Sequence, residues 1–161
     1  MKAENIKIHI IGGGNLGVAL AIGMSKFFPC AGITITRRNI EQIRFLENGN
    51  IRVSSDNTFE INQADIILLS VKPYQVDIVL NEILPHIENK IIVSAVSGLS
   101  IESLEQKVNN AHAVVRIMPN IAAQFGGLPR VFHFLKRTVR LAGRFWTYSA
   151  IWEPRWLSRK S

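Results

Sequence analysis

Three glycines near the start of the chain have the spacing with which proteins hold a phosphate group. Gly12, Gly14 and Gly17 form a G-x-G-x-x-G pattern directly after the apolar run Lys7–Ile11. In such a pattern the first glycine makes a tight turn, the second lets a pyrophosphate approach the backbone, and the third lets a helix pack on a strand. The anion then lies on free N–H groups at the helix N-terminus. The pattern predicts a dinucleotide-binding turn, with an ordinary strand-to-helix turn as the alternative.

Two arginines follow the second predicted strand, which covers residues 33–36. Dinucleotide sites usually carry an acid here for the ribose 2′-hydroxyl, whereas this chain has Thr36, Arg37 and Arg38. A planar guanidinium can pair with two phosphate oxygens at once, which suits a 2′-phosphate. We therefore expect NADP (as NADPH) as the cofactor, with NAD less favoured. The alternative is two solvated surface arginines.

Strands and helices alternate through most of the chain and have to bring these residues together. Apolar runs predict strands at residues 7–11, 33–36, 51–53, 65–71, 91–96 and 113–117. Helical spacing predicts helices at residues 15–28 and 40–47, one that begins at Pro73, and one with Ser100 as its N-cap. Such alternation predicts an α/β fold with a doubly wound (Rossmann), mainly parallel sheet. Ligands in these sheets bind at the carboxyl ends of the strands.

Composition limits the alternatives. The chain has 161 residues, 47% of them hydrophobic, and no apolar run approaches the roughly 20 residues of a membrane span. The start of the sequence lacks a cleavage-site pattern, so we expect no signal peptide. A single cysteine, Cys30, suits a reducing compartment, and we expect a cytoplasmic location.

The positive charge is concentrated at the end of the chain. Residues 1–125 are neutral, whereas residues 126–161 hold eight Lys or Arg residues and one acid, which accounts for the net charge of +7. All three tryptophans lie in the same stretch. We therefore predict a Rossmann domain at residues 1–126 and an irregular, basic, Trp-rich tail at residues 127–161.

Several ordered motifs resemble the pyrroline-5-carboxylate reductases over roughly residues 5–126. They are IIGGGNLG in the glycine turn, SVKPYQV at residues 70–76, SAVSGLSIESLE at 94–105 and VRIMPN at 115–120, with Asn57 before the fourth strand. The resemblance implies an N-terminal Rossmann domain that binds NAD(P)H and a C-terminal helical domain that dimerises. It also implies hydride transfer from C4 of the nicotinamide to the C=N carbon of 1-pyrroline-5-carboxylate, which gives proline.

The resemblance implies a set of cofactor contacts and no metal. They are Ile11, Gly12, Gly13, Gly14, Asn15, Leu16 and Gly17 in the turn, Thr36, Arg37, Arg38 and Asn57 near the adenosine, and Ser70, Val71, Lys72, Pro73, Val96, Ser97, Gly98 and Asn120 toward the nicotinamide. Without the resemblance, Lys72 is a surface lysine and Asn57 a helix cap. No residue of 1–126 is a convincing general acid, because structural roles explain His9, His86 and His112 better. We therefore assign no catalytic residue.

The resemblance weakens after Asn120 and ends near Gly126. Ile121 and Ala122 stand where the family usually has threonine and proline, and the following residues do not match the family's helical domain. One hypothesis is translation out of the original reading frame, which the DNA after codon 126 would test. The alternatives are a basic arm for nucleic acid or anionic membrane, including an amphipathic helix over residues 131–145, and a helix that packs on a partner. We do not expect the basic arm, since chance basic composition needs no partner.

The sequence thus predicts an NADP-dependent reductase of a cyclic imine, an oxidoreductase of proline biosynthesis. Because the tail does not match the family's dimerisation domain, we expect this chain to bind NADPH but to turn over poorly or not at all. A homo-oligomer is an open possibility. The alternatives are another Rossmann reductase and a dinucleotide-binding module without turnover.

Overall fold

The computed structural model describes residues 6–28, 31–47, 50–118, 135–141 and 144–150. Eight strands form one sheet in the order β3-β2-β1-β4-β5-β6-β7-β8. The strands are β1 (Lys7–Ile11), β2 (Gly32–Thr36), β3 (Ile51–Ser54), β4 (Ile66–Leu69), β5 (Ile91–Ser94), β6 (Ala113–Arg116), β7 (Leu135–Leu141) and β8 (Arg144–Ala150). The first six pair in parallel, and β7 and β8 add to β6 antiparallel. This arrangement confirms the doubly wound, mainly parallel fold.

Three α-helices connect the parallel strands: α1 (Asn15–Phe27), α2 (Val76–Ile83) and α3 (Ile101–Lys107). The Ser100 hydroxyl accepts a hydrogen bond from the Ser103 N–H (3.1 Å) and so caps α3, as the sequence predicts. Pro73 begins a 3-10 turn, Pro73–Gln75, which continues into α2. Because its missing N–H has no helical partner at a first turn, proline is tolerated there.

The core lies on both faces of the sheet. Ile10 packs in a cluster with Leu20 of α1, whereas its neighbour Ile11 packs in a second cluster with Leu80 of α2. Successive side chains of a strand point to opposite faces, so an apolar strand such as β1 serves both clusters. This burial on two sides explains the near-continuous apolar runs in the sequence.

The helix predicted at residues 40–47 is wrong. The structure has two 3-10 turns, Ile40–Gln42 and Arg44–Leu46, interrupted at Ile43 (φ −128°, ψ 0°). Ile43 is fully buried and its side chain packs close to Gly13. Tertiary packing of this one side chain therefore outweighs the helical propensity of the segment.

The tail is not irregular throughout, and an amphipathic helix over residues 131–145 is excluded where the chain is described. Leu135–Leu141 and Arg144–Ala150 are antiparallel strands, with Val115 of β6 opposite Val139 of β7. Arg144–Ala150 contains three aromatic residues and a threonine, types that favour strands, whereas Leu135–Leu141 has only Thr138 and Val139 of the β-branched types. Without β7, β6 would end the sheet with unpaired backbone groups, a position that accepts a further strand. Residues 119–134 and 151–161 lie outside the described part.

Candidate cofactor-binding site

The glycine turn lies where the strand order of the sheet reverses. β1 is flanked by β2 on one side and by β4 on the other, so the chain winds outward in opposite directions from this point. The Ser70 N–H, directly after β4, donates to the Ile11 carbonyl at the end of β1 (2.8 Å). Ligands of open α/β sheets bind in the crevice at this switch point, outside the carboxyl ends of the strands.

The first and third glycines of the motif have no space for a side chain. Gly12 has φ +108°, and a Cβ there would lie 2.5 Å from the Ser70 carbonyl oxygen. A Cβ on Gly17 would lie 2.0 Å from the Gly12 carbonyl oxygen, so strand end and helix are in close contact. A Cβ on Gly14, in contrast, would meet no atom within 4 Å. The middle glycine thus exposes backbone on the side that a ligand can approach.

The N-terminus of α1 is open to an anion. The helix begins at Asn15 with Gly14 as N-cap; no side chain caps it, and its first turn holds no acidic residue. The N–H groups of a first turn have no partner within their own helix, and the helix dipole adds partial positive charge there. Asn15 is exposed and Leu16 partly buried at this end. The geometry suits a phosphate group.

The end of β2 is bonded to the glycine turn. The Thr36 carbonyl accepts hydrogen bonds from the N–H groups of Gly12 (3.2 Å) and Gly13 (2.8 Å). Arg37 donates from Nη1 to the Gly13 carbonyl (2.6 Å) and from Nη2 to the side-chain oxygen of Gln42. Arg38 is exposed and makes no hydrogen bond or ion pair to any residue described. The two adjacent arginines therefore have different surroundings.

Asn57 joins two elements in this structure. The Thr36 hydroxyl, which is fully buried, donates to Asn57 Oδ1 (2.6 Å), and Asn57 Nδ2 donates to the Glu82 carboxylate of α2 (2.7 Å). The preceding Asp56 accepts from the Thr58 N–H (2.8 Å) and hydroxyl (2.7 Å). These bonds lower the pKa of Asp56, because they stabilise its charged form. The turn around Asn57 is thereby fixed beside the end of β2.

The segment after β4 presents one buried polar atom beside the glycine turn. Ser70 Oγ is buried and has no hydrogen-bond partner among the described residues, and it would lie 3.2 Å from a Cβ on Gly17. Val71 is half-buried, while Lys72 and Pro73 are exposed at the start of the next helical turn. A buried hydroxyl without a partner at such an edge is available to a ligand.

The turn after β5 lies next in the sheet. Val96 is buried, whereas Ser97 and Gly98 are exposed, and Gly98 has φ +76°. Met118, 47% exposed, follows β6 and is the last residue described before residue 135. Pro119 and the predicted contact Asn120 lie outside the described residues, as does Cys30.

The three histidines before residue 119 differ in burial and in hydrogen bonding. His9 is buried in β1, and neither ring nitrogen has a hydrogen-bond partner in the part described. Burial lowers its pKa to about 4, since charge is costly away from water; the nearby Asn57 backbone and Asp56 carboxylate oppose this less strongly. His86 pairs through Nδ1 with Asn62 (2.8 Å), and His112 is exposed.

Two residues of this site carry no motif in the sequence. Gln42 and Glu82 reach the site only through their bonds to Arg37 and Asn57. Their side-chain types are common on exposed segments, so the sequence offers no signal for them. Within the described ranges, no helix is long and apolar enough to cross a bilayer, and no cluster of three or more His, Cys, Asp or Glu side chains is placed to hold a metal ion.

Comparison with known proteins assigns the chain to a family. The model of the family described as NADP oxidoreductase, coenzyme F420-dependent, matches residues 7–98, more than half of the chain. The chain therefore belongs to this oxidoreductase family. The match includes the glycine turn, the end of β2 and the segment after β4.

The relatives confirm the resemblance to pyrroline-5-carboxylate reductases. The chain is 36% identical to pyrroline-5-carboxylate reductase 1 of Dictyostelium discoideum over 127 residues, 77% of this chain and 23% of that protein. It is 36% identical to the pyrroline-5-carboxylate reductase of Methanosarcina acetivorans over 129 residues, 74% of this chain and 46% of that protein. The Plasmodium falciparum pyrroline carboxylate reductase, solved with NADP bound, superposes with a TM-score of 0.65 at 27% identity, over 85% of this chain and 48% of that one. The chain thus spans less than half the length of these relatives.

Proposed function

We propose that this chain is the cofactor-binding part of an NADPH-dependent reductase that converts 1-pyrroline-5-carboxylate into L-proline. The observation that carries the proposal is the glycine turn at the switch point, with an open helix N-terminus and a Gly14 that has free space above it. The similarity to pyrroline-5-carboxylate reductases supports the substrate. A reduced nicotinamide, when bound, supplies the hydride for the C=N carbon.

The residues of the chain suit the parts of such a cofactor. Ile11–Gly17 would hold the pyrophosphate on backbone N–H groups at the start of α1. The buried Ser70 hydroxyl, with Val71, Lys72 and Pro73, would bound the ribose beside the nicotinamide. Val96, Ser97 and Gly98, and Asn120 after β6, would complete the nicotinamide end. These residues bind and orient, and we propose no proton-transfer role for any of them.

The preference for NADPH is also a proposal. Arg38 is an exposed cation after β2, the position that faces the adenosine ribose in doubly wound dinucleotide sites. No acidic residue stands at 36–38 to bind a ribose 2′-hydroxyl. A 2′-phosphate placed there gains a charge-assisted hydrogen bond, which NADH cannot make.

Turnover by this chain alone is proposed to be low or absent. The matched regions cover only 23% and 46% of the lengths of these two relatives. We propose that the family-like part of the chain ends near residue 126, although β7 and β8 continue the same sheet. We also propose a cytoplasmic location in keeping with the single cysteine, and oligomer formation in the family through parts that this chain does not match. The alternative is a cofactor-binding module without turnover.

The test combines binding with turnover. Calorimetry on the 161-residue chain should show NADPH binding, while the loss of NADPH absorbance with 1-pyrroline-5-carboxylate should be slow. A chimera that joins residues 1–118 to the remainder of a curated relative should restore reduction of this substrate. Absence of cofactor binding would refute the proposal. A chimera that binds NADPH and folds, but reduces only other imines or 2-oxo acids, would refute the substrate.

A further inference from the structure

We infer that Arg37 is a positioning residue that holds the glycine turn in shape together with Gln42, which leaves Arg38 as the arginine that distinguishes NADPH from NADH. The inference rests on the proposed function, because it divides two roles within the same cofactor site. It assigns Gln42 a part that its sequence context does not indicate.

Both backbone polar groups of Gly13 form hydrogen bonds to residues at the end of β2. Its N–H donates to the Thr36 carbonyl (2.8 Å), and its carbonyl accepts from Arg37 Nη1 (2.6 Å). Both partners belong to the chain at the end of β2. The peptide groups on both sides of Gly13 are therefore held in place before any ligand arrives. The second of them leads directly into Gly14, the most ligand-accessible glycine of the motif.

Arg37 is itself held by its surroundings. Its backbone N–H donates to the Ser54 carbonyl at the end of β3 (3.0 Å), and Nη2 donates to Gln42. A Cβ on Gly13 would lie 3.1 Å from Arg37 Cβ, so the turn rests directly on the stem of this side chain. A planar guanidinium with two of its nitrogens engaged has few orientations left. Arg37 thus links the ends of β2 and β3 to the glycine turn through its hydrogen bonds.

Arg37 and Arg38 are expected to affect the affinities for NADH and NADPH differently. A pyrophosphate is present in both NADH and NADPH, so a residue that pre-forms its cradle contributes to both affinities. The 2′-phosphate is present in NADPH only, and Arg38 is the neighbouring cation without a partner among the residues described. Arg44, close by, pairs with Glu41 (2.7 Å) and is not needed for either role.

The experiment measures the dissociation constants of NADPH and NADH for four variants of the full chain. Arg37→Gln should weaken both about tenfold, the equivalent of one lost charge-assisted bond. Arg38→Gln should weaken NADPH by about tenfold or more and leave NADH unchanged. Arg44→Gln, an equal loss of charge in the same segment, should change neither. Gln42→Ala should follow Arg37→Gln in direction.

Two further measurements keep the test decisive. Arg37→Lys retains the charge but not the planar fork, so it should lose affinity as Arg37→Gln does. In the cofactor-free protein, Arg37→Gln should speed hydrogen exchange of the Gly13 amide, whereas Arg38→Gln should not. A selective loss of NADPH in Arg37→Gln, or unchanged exchange, would overturn the inference. Failure of the unaltered chain to bind either cofactor would refute the proposed function instead, and the exchange result would still decide the role of Arg37.

Discussion

The three glycines of the motif, Gly12, Gly14 and Gly17, are required for different reasons. Gly12 and Gly17 are needed by the protein itself, because backbone atoms fill the space that a Cβ would occupy. Gly14 has no such neighbour, and its φ of −78° is open to any L-residue. A requirement for glycine at this position would therefore come from a ligand and not from the fold.

Alanine substitutions separate these requirements. Gly17→Ala should lower the free energy of unfolding by at least about 2 kcal/mol, because the Gly12 backbone has to move. Gly14→Ala should leave the unfolding midpoint nearly unchanged and weaken NADPH binding. Urea unfolding and calorimetry measure the two effects. A stable Gly14→Ala variant with unaltered NADPH affinity would contradict the proposed approach of the pyrophosphate.

His9 makes the stability of the protein depend on pH. Its pKa is about 4 in the folded chain and about 6.5 when unfolded, so the unfolded chain binds the proton first as pH falls. The contribution of His9 to stability should therefore be fully present well above pH 6.5 and decrease toward pH 4, by up to about 3 kcal/mol. The lowered pKa of Asp56 acts in the same direction only at lower pH, below its ordinary 3.8.

Urea unfolding across this pH range checks the effect. In His9→Leu the decrease between pH 6.5 and 4 should largely disappear, whereas His86→Gln, at a partly exposed histidine, should retain it. An equal slope in His9→Leu and the unaltered chain would assign the pH dependence to other groups.

At the scale of elements, Asn57 connects the end of β2 to α2. Its two hydrogen bonds join Thr36 to Glu82, and the Thr36 hydroxyl is fully buried. An exposed ion pair, Lys107 to Asp77 (2.7 Å), joins α3 to α2. Solvent screens the exposed pair, whereas removal of Asn57 leaves a buried hydroxyl without its partner.

A double-mutant cycle distinguishes these links. Asn57→Ala should cost about 1–3 kcal/mol, and much of that cost should vanish in a Thr36→Val background, because no buried donor then remains unpaired. Asp77→Asn should cost no more than about 1 kcal/mol. Strictly additive effects of Asn57→Ala and Thr36→Val in chemical denaturation would show that the bond does not contribute to stability.

The elements themselves differ in how far sequence patterns predict them. The apolar runs correspond to all six parallel strands, and no strand end differs by more than two residues, because burial on both faces leaves a strong signal. The helix predicted at 40–47 is wrong because periodic apolar residues do not reveal that Ile43 packs against Gly13. The sequence does not predict the strands β7 and β8, because basic residues interrupt their apolar and aromatic positions.

At the scale of the whole molecule, the reversal of strand order brings distant segments to one crevice. Gly12 and Ser70 lie far apart in the sequence, yet a Cβ on one would collide with the carbonyl of the other. A ligand that contacts both the turn after β1 and the segment after β4 links two halves of the sheet. Its binding therefore stabilises the folded state as a unit.

NADPH should raise the unfolding temperature in a concentration-dependent way. At 100 times its dissociation constant, a ligand that binds only the folded state contributes about 2.7 kcal/mol. Differential scanning fluorimetry should show this shift for NADPH and a smaller one for NADH at equal concentration. Gly14→Ala serves as a control that folds but binds weakly. No shift with NADPH at any concentration would contradict cofactor binding.

Residue order alone determined the alternating elements, the glycine turn and the resemblance to a reductase family, because apolar periodicity and turn residues are local signals. It assigned Arg37 and Arg38 the same candidate role in binding the 2′-phosphate, and it did not identify Gln42 or Glu82 as residues of the site. Only the tertiary structure decided that Arg37 bonds to Gly13 while Arg38 stays exposed, and that Asn57 bridges Thr36 and Glu82. These pairings depend on the packing of segments that are distant in the chain, which no local pattern encodes.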